Sequence, residues 1–419
     1  MVRRNILSRA ALALVAAAAF TTACKDEMLN PPDTVDAMFA RYVAIGNSLT
    51  AGFESGGIND STQRHAYPVL LAADLETEFT IPELNQPGCP APYTNVFTQQ
   101  RVGGVPSTVC GLRAGPTPER INNVAVPGAA SIDATTNLDA ASDPNTLTTL
   151  ILGGRTQVEA AAAIQPTFVS VAIGSNDILG AVLDEANPGD PSKVTSAADF
   201  ATRYGAMMDS LDAIGTIEGG VLIGLQPVMV DATTLSVPYL TAGAAWQQFE
   251  AYFDGQTTPF GFDAFDVDAG CATAFVPFPV GGAALSLANA RKDSVIAGTL
   301  APGSVVTVTL SCPDNLAVTL AEFQNIMAAL AQYNATIQQE ATARGWAYFD
   351  PAPVFTGLAA TAGMFRPFPA FDTADPQHTT QPFGAALSLD GIHWSAMLQA
   401  AIADALLAEI ADHYDIDMP

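Results

Sequence analysis

Residues 42–52, which read Tyr-Val-Ala-Ile-Gly-Asn-Ser-Leu-Thr-Ala-Gly, decide the fold predicted for this chain. The first four are apolar and partly β-branched, a pattern typical of a strand buried on both faces of a parallel sheet. Gly46 ends this run, and Ser48 follows at the point where such a strand passes into a helix. Open α/β folds bind their ligands at the carboxyl ends of the strands, where helix N-termini also present unpaired N–H groups. Ser48 is therefore a candidate nucleophile.

Downstream, short apolar runs alternate with segments of helical character. Ser196 precedes one helical segment as a capping residue, and another opens with a capping box of Thr319 and Glu322 and closes at Gly345. This alternation predicts a three-layer α/β/α domain over residues 39–419, with a mostly parallel sheet. The predicted strands cover residues 121–126, 168–173, 221–225 and 346–349, and the predicted helices cover 66–76, 158–164, 197–214, 319–345 and 394–413.

Residues 234–317 interrupt the alternation. They are rich in Gly, Ala, Phe and Thr and include an alternating, β-like run at 305–310. We expect them to form an insertion packed on the core. The sequence does not decide whether this insertion lies over the site or beside it. We find no internal repeat.

The N-terminus has the character of a targeting segment. Arg3 and Arg4 precede an apolar run at 10–20 that is too short to span a bilayer. Residues 21–24, Thr-Thr-Ala-Cys, resemble the lipobox of a bacterial lipoprotein, although Thr21 stands where leucine is usual. The resemblance implies a signal peptide over 1–24, an acylated Cys24, a tether over 25–38 and anchoring to the outer membrane. Residues 25–27, Lys-Asp-Glu, are similar to the surface-export tag of Bacteroidetes lipoproteins. An ordinary secretory signal and a twin-arginine route stay open.

Composition excludes several classes of partner. The net charge of −26 argues against nucleic acid and against adsorption to anionic lipid head groups. The chain has four histidines and no Cys-x-x-Cys motif, which argues against a structural zinc site. We expect neither a metal nor a cofactor.

Beyond Cys24 the chain has four cysteines, and an even count in an exported protein predicts two disulfides. The local pairs Cys89–Cys110 and Cys271–Cys312 are the simplest of the three connectivities.

Three further motifs fall at predicted strand ends or before the last helix. Gly128 comes just past the strand predicted over 121–126, where a glycine lets a backbone N–H approach a ligand closely. Asn176 lies in Gly-Ser-Asn-Asp (174–177) and offers two amide donors. Asp390 lies three residues before His393, a spacing that lets a carboxylate orient the imidazole. Each motif alone also fits a turn or a helix cap, but together they supply the parts of a serine hydrolase.

In this order the four motifs resemble the conserved blocks of the GDSL, or SGNH, hydrolases, and most closely their Bacteroidetes-type lipoprotein acylhydrolases. The resemblance covers residues 42–395 apart from the insertion, and one departure is Asn47 in place of the family's aspartate. It implies a flavodoxin-like fold, with Ser48 as nucleophile, His393 as general base and Asp390 as its orienting acid.

The same resemblance implies an oxyanion hole made by the backbone N–H groups of Ser48 and Gly128 and the side-chain amide of Asn176. The competing α/β-hydrolase elbow, Gly-x-Ser-x-Gly, does not occur in this sequence.

The implied activity is ester hydrolysis, as a lipase, esterase or acylhydrolase. A carbohydrate O-deacetylase of the same fold and a non-catalytic binding lipoprotein remain alternatives. The Phe-rich run at 364–371 suggests lipid or aryl esters, whereas the Gly/Ala/Thr-rich insertion suits a carbohydrate ester equally well.

Overall fold

The computed structural model describes residues 34–110, 120–136, 146–226, 229–231, 235–236, 240–366, 377 and 379–418. The predicted signal peptide, the acylation of Cys24, most of the tether and residues 367–371 of the Phe-rich run lie outside this part. In chain order the described strands are β1 Tyr42–Gly46, β2 Tyr93–Asn95, β3 Gln100–Arg101, β4 Phe168–Ala172, β5 Gly219–Ile223, β6 Met229–Asp231, β7 Leu235–Ser236, β8 Leu240–Ala242, β9 Phe265–Val267, β10 Phe275–Pro277, β11 Val308–Leu310 and β12 Ala347–Phe349.

The described helices agree with the sequence prediction in kind and differ from it by a few residues at their ends. They are α1 Ser48–Ala51, α2 Asp60–Arg64, α3 Tyr67–Asp74, α4 Thr146–Leu152, α5 Gln157–Ile164, α6 Asn176–Val182, α7 Ala197–Asp212, α8 Gly243–Thr257, α9 Phe278–Ile296, α10 Leu320–Arg344, α11 Ala352–Ala359 and α12 Ala396–Tyr414. Ser196 caps α7, the Thr319–Glu322 box opens α10, and Gly345 in the left-handed region closes it.

The central sheet is parallel, with the order β1-β4-β5-β12. Every residue of β1 and β5 is buried, because the sheet is covered on both faces. Alternate side chains of β1 enter opposite cores: Val43 and Ile45 pack towards α5, α7 and α10, and Tyr42 and Ala44 pack towards α3 and α12. The molecule thus has the predicted α/β/α layers.

The strand predicted over 121–126 is wrong in detail. This segment runs parallel to β1 and exchanges backbone hydrogen bonds with Ala44 through Asn122 and Val124, but it forms only an isolated bridge, Ala44 with Asn123. The N–H of Asn122 donates to the carbonyl of Thr80 and the N–H of Gly46 donates to Oε1 of Gln157, so the ladder with β1 stays irregular at both ends. If the five central strands are numbered 1 to 5 along the chain, with this segment as strand 2, their order across the sheet is 2-1-3-4-5. This is the order of flavodoxin-like folds.

The segment between β5 and α10 carries its own small core. Trp246, Phe253 and Phe265 are fully buried there, around Cys271. Short pairings of β8 with β10 and of β9 with β11 frame this core, and the ring of Phe278 on α9 meets Phe383 at 5.3 Å between centroids. The insertion therefore packs beside the loop that leads into Asp390.

Two disulfides are present, Cys89–Cys110 and Cys271–Cys312. The first lies in the long segment between α3 and α4, and the second ties the 3-10 turn Ala269–Thr273, after β9, to the residues after β11. Both are the local pairs expected from the sequence.

Candidate active site

Ser48 is the first residue of α1, directly after β1, and only 8% of its surface is exposed. Gly46 is required here by close packing, because a Cβ at this position would lie 2.2 Å from Oγ1 of Thr50 and 2.8 Å from the carbonyl of Ala172. Asn47 caps α1, since its Oδ1 accepts a hydrogen bond from the N–H of Leu49 at 3.1 Å. The residue that departs from the family pattern therefore has a structural role in the turn that presents Ser48.

Asp390 and His393 form a hydrogen-bonded pair, with Nδ1 of His393 2.8 Å from Oδ2 of Asp390. The same carboxylate accepts from the N–H groups of Gly56 at 2.5 Å, Ile392 at 2.9 Å and His393 at 2.9 Å, and from Oγ of Ser388 at 3.0 Å. Burial acts to raise the pKa of Asp390, but the facing imidazole and these donors outweigh it and hold the pKa well below its usual range. An ionised Asp390 keeps the proton on Nδ1, so Nε2 is the basic nitrogen of His393.

The turn at 53–57 supports this pair, and the sequence analysis did not single it out. Besides the Gly56 hydrogen bond, the ring of Phe53 lies 4.8 Å from that of His393 between centroids. Ser55 exchanges two hydrogen bonds with the loop before Asp390: its N–H donates to Oγ of Ser388 at 2.9 Å, and its Oγ accepts from the N–H of Leu389 at 3.2 Å. Partners more than 330 residues apart leave no local signal by which sequence reasoning could find them.

Glu54 adds a titratable group to the same turn. Its carboxyl group is half-buried, and the charges of Asp390 and His393 act on its pKa. Burial raises the pKa of Glu54, the Asp390 carboxylate raises it further, His393 opposes both, and the result is a pKa of about 7. Glu54 therefore changes its charge beside the Asp390–His393 pair at neutral pH.

Asn176 begins α6 at the end of β4, and Nδ2 donates to the carbonyl of Ala129 at 2.8 Å. One amide N–H is thus engaged, which leaves the second for a ligand. Gly128 precedes Ala129 in the left-handed region with φ of +87°, a conformation that favours glycine. Asp177 fixes the same two loops, because its carboxylate accepts from both the N–H and the Oγ of Ser131 at 2.7 Å.

One cavity, called here the catalytic pocket, brings most of the predicted residues together. Its polar lining consists of Asn47, Ser48, Ser175, Asn176, Gln226 and His393. Gly128 is not among its lining residues and lies beside it through the Asn176–Ala129 hydrogen bond. Within the part of the chain that the structure describes, Ser48 and His393 line the same pocket without a hydrogen bond between them. Among the same described residues, no group of three or more His, Cys, Asp or Glu side chains could hold a metal ion.

No family model and no curated relative matches this sequence. Solved structures that resemble the chain include an acetylxylan esterase from Geobacillus stearothermophilus (13% identity, 88% of this chain and 93% of the other, TM-score 0.38). Others are an alpha/beta hydrolase from the metagenome of Lake Arreo, Spain (14% identity, 90% and 98%, TM-score 0.38), and phospholipase A1 from Streptomyces albidoflavus NA297 (15% identity, 88% and 98%, TM-score 0.39). At such low identity and TM-score, these likenesses carry no argument about the activity of this chain.

Proposed function

We propose that this chain is a serine ester hydrolase of the GDSL/SGNH type. The observation that carries the proposal is the Asp390–His393 hydrogen bond at the rim of a pocket that Ser48 and Asn176 also line. A nucleophile, a base with a defined basic nitrogen, an orienting acid and an oxyanion donor then share one site at the carboxyl edge of the sheet.

In the acylation half of the reaction, Oγ of Ser48 attacks the ester carbonyl carbon while Nε2 of His393 takes the hydroxyl proton. The carbonyl oxygen becomes an oxyanion, which the N–H groups of Ser48 and Gly128 and the free amide N–H of Asn176 stabilise. Each such donor is worth roughly 3 kcal/mol of barrier. The intermediate collapses as His393 returns the proton to the leaving alcohol, and an acyl ester remains on Ser48.

In the deacylation half, water attacks the acyl carbon and gives its proton to His393. The second oxyanion accepts hydrogen bonds from the same donors. Its collapse releases the carboxylic acid, and His393 returns the proton to Oγ of Ser48. Asp390 stays ionised throughout and stabilises the imidazolium that forms twice in each turnover.

A fluorophosphonate probe and p-nitrophenyl acetate test this proposal. We expect the probe to label Ser48 and Ser48→Ala to retain less than about a thousandth of the wild-type rate, since loss of a triad member usually costs more than that. Ser170→Ala is the matched control: Ser170 is fully buried in the adjacent strand, bonds the hydroxyl of Tyr42 at 2.7 Å and lies outside the pocket. Failure of the folded wild-type protein to be labelled would favour the non-catalytic binding alternative.

We also propose that the protein is exported and anchored by an acylated Cys24. The support is the lipobox-like sequence; in addition, among the described residues no helix has the length and apolar character needed to cross a membrane. A single acyl chain binds a bilayer only marginally, so stable anchoring needs the multiply acylated cysteine. Cys24→Ser should move the protein from the membrane fraction to the soluble fraction. Retention of the variant on membranes after a salt wash contradicts lipid anchoring.

A further inference from the structure

Gln226 lines the catalytic pocket and has no role in the proposed reaction. It follows β5, the strand beside β4, so Ser48, Asn176 and Gln226 come after three neighbouring strands of the central sheet. Ser48 and Asn176 both act on the substrate in the proposed reaction. A third polar side chain at the same edge of the sheet is a candidate for a further contact with the substrate.

The backbone just before Gln226 is held by helix α10. Oδ1 of Asn334 accepts a hydrogen bond from the N–H of Leu225 at 2.6 Å, and Nδ2 of the same amide donates to the carbonyl of Leu225 at 3.0 Å. One side chain, 109 residues further along the chain, therefore satisfies both backbone groups of Leu225 after the strand has ended. This contact fixes the backbone from which Gln226 enters the pocket.

The side chain of Gln226 is oriented by Trp394. Nε1 of Trp394, a residue only 3% exposed, donates to Oε1 of Gln226 at 2.6 Å. An indole N–H can only donate, so the amide oxygen must face Trp394 and the amide nitrogen is the polar atom left for the pocket. No described residue accepts a hydrogen bond from this nitrogen. Its two N–H groups are therefore free to bind a group that enters the pocket.

The wall around this amide is apolar. Ile178, Val182, Leu225 and Leu330 line the same pocket, and each is at most 4% exposed. A substrate group that fills the pocket displaces the water that would otherwise bind the amide. A hydrocarbon group then leaves the N–H donors unpaired, which costs free energy, whereas an oxygen atom in the same place pairs with one of them. Sites of this kind discriminate against analogues that lack the hydrogen-bonding atom.

The size of the pocket limits where this oxygen can be. The pocket encloses about 60 Å³. At about 10–15 Å³ for each water-sized unit, that volume holds roughly four to six heavy atoms. An oxygen that meets Gln226 must therefore lie within a few bonds of the ester group that Ser48 attacks.

Resting on the proposed function, we propose that Gln226 determines substrate specificity: its amide N–H donates to an ether, hydroxyl or carbonyl oxygen on the part of the ester that fills the catalytic pocket. This oxygen is distinct from the reacting carbonyl oxygen, which the oxyanion hole binds. Esters that carry it are preferred over hydrocarbon esters of the same length. The acyl half and the alcohol half of an ester can both carry such an oxygen, and the experiment below separates the two.

Two substitutions separate this contact from a purely structural role of Gln226 as the anchor of Trp394. Gln226→Glu keeps an oxygen acceptor for the indole N–H but has no N–H donor, and Gln226→Met has neither. If Gln226 only anchors Trp394, the glutamate variant should resemble the wild type and the methionine variant should slow on all esters equally. If the amide donor binds substrate, both variants should lose the preference for oxygen-containing esters.

The acyl half is tested with three p-nitrophenyl esters of equal chain length: pentanoate, ethoxyacetate and 3-methoxypropanoate. The measured quantity is kcat/KM for each oxygen-containing ester divided by kcat/KM for pentanoate. Comparing this ratio between the wild type and a variant cancels the intrinsic reactivity of the esters. The alcohol half is tested in the same way with 2-methoxyethyl acetate and butyl acetate, by titration of the acetic acid released.

For the half of the ester that fills the pocket, we expect the ratio to fall about tenfold in both Gln226 variants, because the hydrogen bond to the substrate is lost. A fall with the p-nitrophenyl esters assigns the pocket to the acyl half, and a fall with the acetates assigns it to the alcohol half. Circular dichroism checks that the variants are folded. Gln226→Glu keeps the bond to Trp394, so the test stands even if Gln226→Met does not fold.

Gln157 provides a matched control. Its Oε1 accepts from the N–H of Gly46 at 2.9 Å, its Nε2 has no partner among the described residues, and it is buried outside the pocket lining. Any loss of rate in Gln157→Met should be the same on all of these esters, so that every ratio stays within about twofold of the wild-type value.

The inference and the proposed function fail differently. If every ratio in both Gln226 variants stays within about threefold of the wild-type value, the specificity role of Gln226 is overturned. Ser48-dependent hydrolysis of the same esters would then leave the proposed function standing. No Ser48-dependent hydrolysis of any of these esters refutes the proposed function itself.

Discussion

Asn176 offers the sharpest test of the mechanism, because its amide has one structural bond and one free donor. Asn176→Ala removes both. Loss of the 2.8 Å bond to the Ala129 carbonyl should cost about 1 kcal/mol of unfolding free energy. Loss of the oxyanion donor acts only in the transition state, so kcat should fall roughly a hundredfold to a thousandfold while KM stays nearly constant. Both effects are measured on one preparation, by denaturant unfolding and by steady-state kinetics on p-nitrophenyl acetate.

Asn122→Ala is the control, since Nδ2 of Asn122 donates to the backbone carbonyl of Tyr42 at 2.7 Å and its Oδ1 accepts from the N–H of Thr80 at 2.9 Å, both outside the pocket. It should lose at least as much stability as Asn176→Ala and keep its kcat. Asn176→Asp adds a second check, because a carboxylate would face both the Ala129 carbonyl and the oxyanion and should be at least as inactive as the alanine variant. If Asn176→Ala lost stability but kept a kcat within about threefold of wild type, the amide would be structural only and the oxyanion assignment would be refuted.

Three further predictions concern the surroundings of the site. Glu54→Gln should flatten the pH dependence of the free energy of unfolding. The folded wild type retains the Glu54 proton up to about pH 7, whereas the unfolded chain releases it near its usual pKa. Between pH 5 and pH 8, denaturant melts should therefore show the wild type losing roughly 1–3 kcal/mol relative to the variant. Ser388→Ala removes one hydrogen-bond donor to Asp390 and the acceptor of the Ser55 N–H. It should lower the free energy of unfolding by about 1–2 kcal/mol and kcat severalfold. Unchanged values of both would contradict the role of the 53–57 turn. Reducing Cys271–Cys312 should lower the free energy of unfolding by about 2–4 kcal/mol and leave fluorophosphonate labelling of the folded protein intact, because neither cysteine lines the catalytic pocket; loss of labelling without loss of stability would contradict this.

Local sequence rules predicted the layers of the fold well. A capping box at Thr319 and Glu322 with a glycine at 345 delimits α10 because those side chains satisfy backbone groups within the same turn. Likewise the Asp390-x-x-His393 spacing predicted a contact that the structure contains at 2.8 Å, since a three-residue turn nearly dictates it.

Contacts between distant parts of the chain could not be predicted in the same way. The 121–126 run has strand composition, but the N–H of Asn122 donates to Thr80 and the N–H of Gly46 donates to Gln157, so the ladder between the run and β1 is incomplete. The folded sheet decides which loops meet at one edge. It therefore determines that Asp390 meets the 53–57 turn and that the Asn176 amide meets the Ala129 carbonyl. Periodicity and capping carry no such information.

The hydrogen bond from Gly56 to Asp390 spans 334 residues, and Nε2 of Gln399 in α12 donates across 350 residues to the carbonyl of Leu49, beside Ser48. During synthesis Ser48 emerges from the ribosome long before Asp390 and His393, and the turn at 53–57 waits without its partner. Under the proposed mechanism, a chain that stops before Asp390 therefore carries Ser48 without the base that would activate it. The proposed site is complete only when α12 has packed against the turn that carries Ser48.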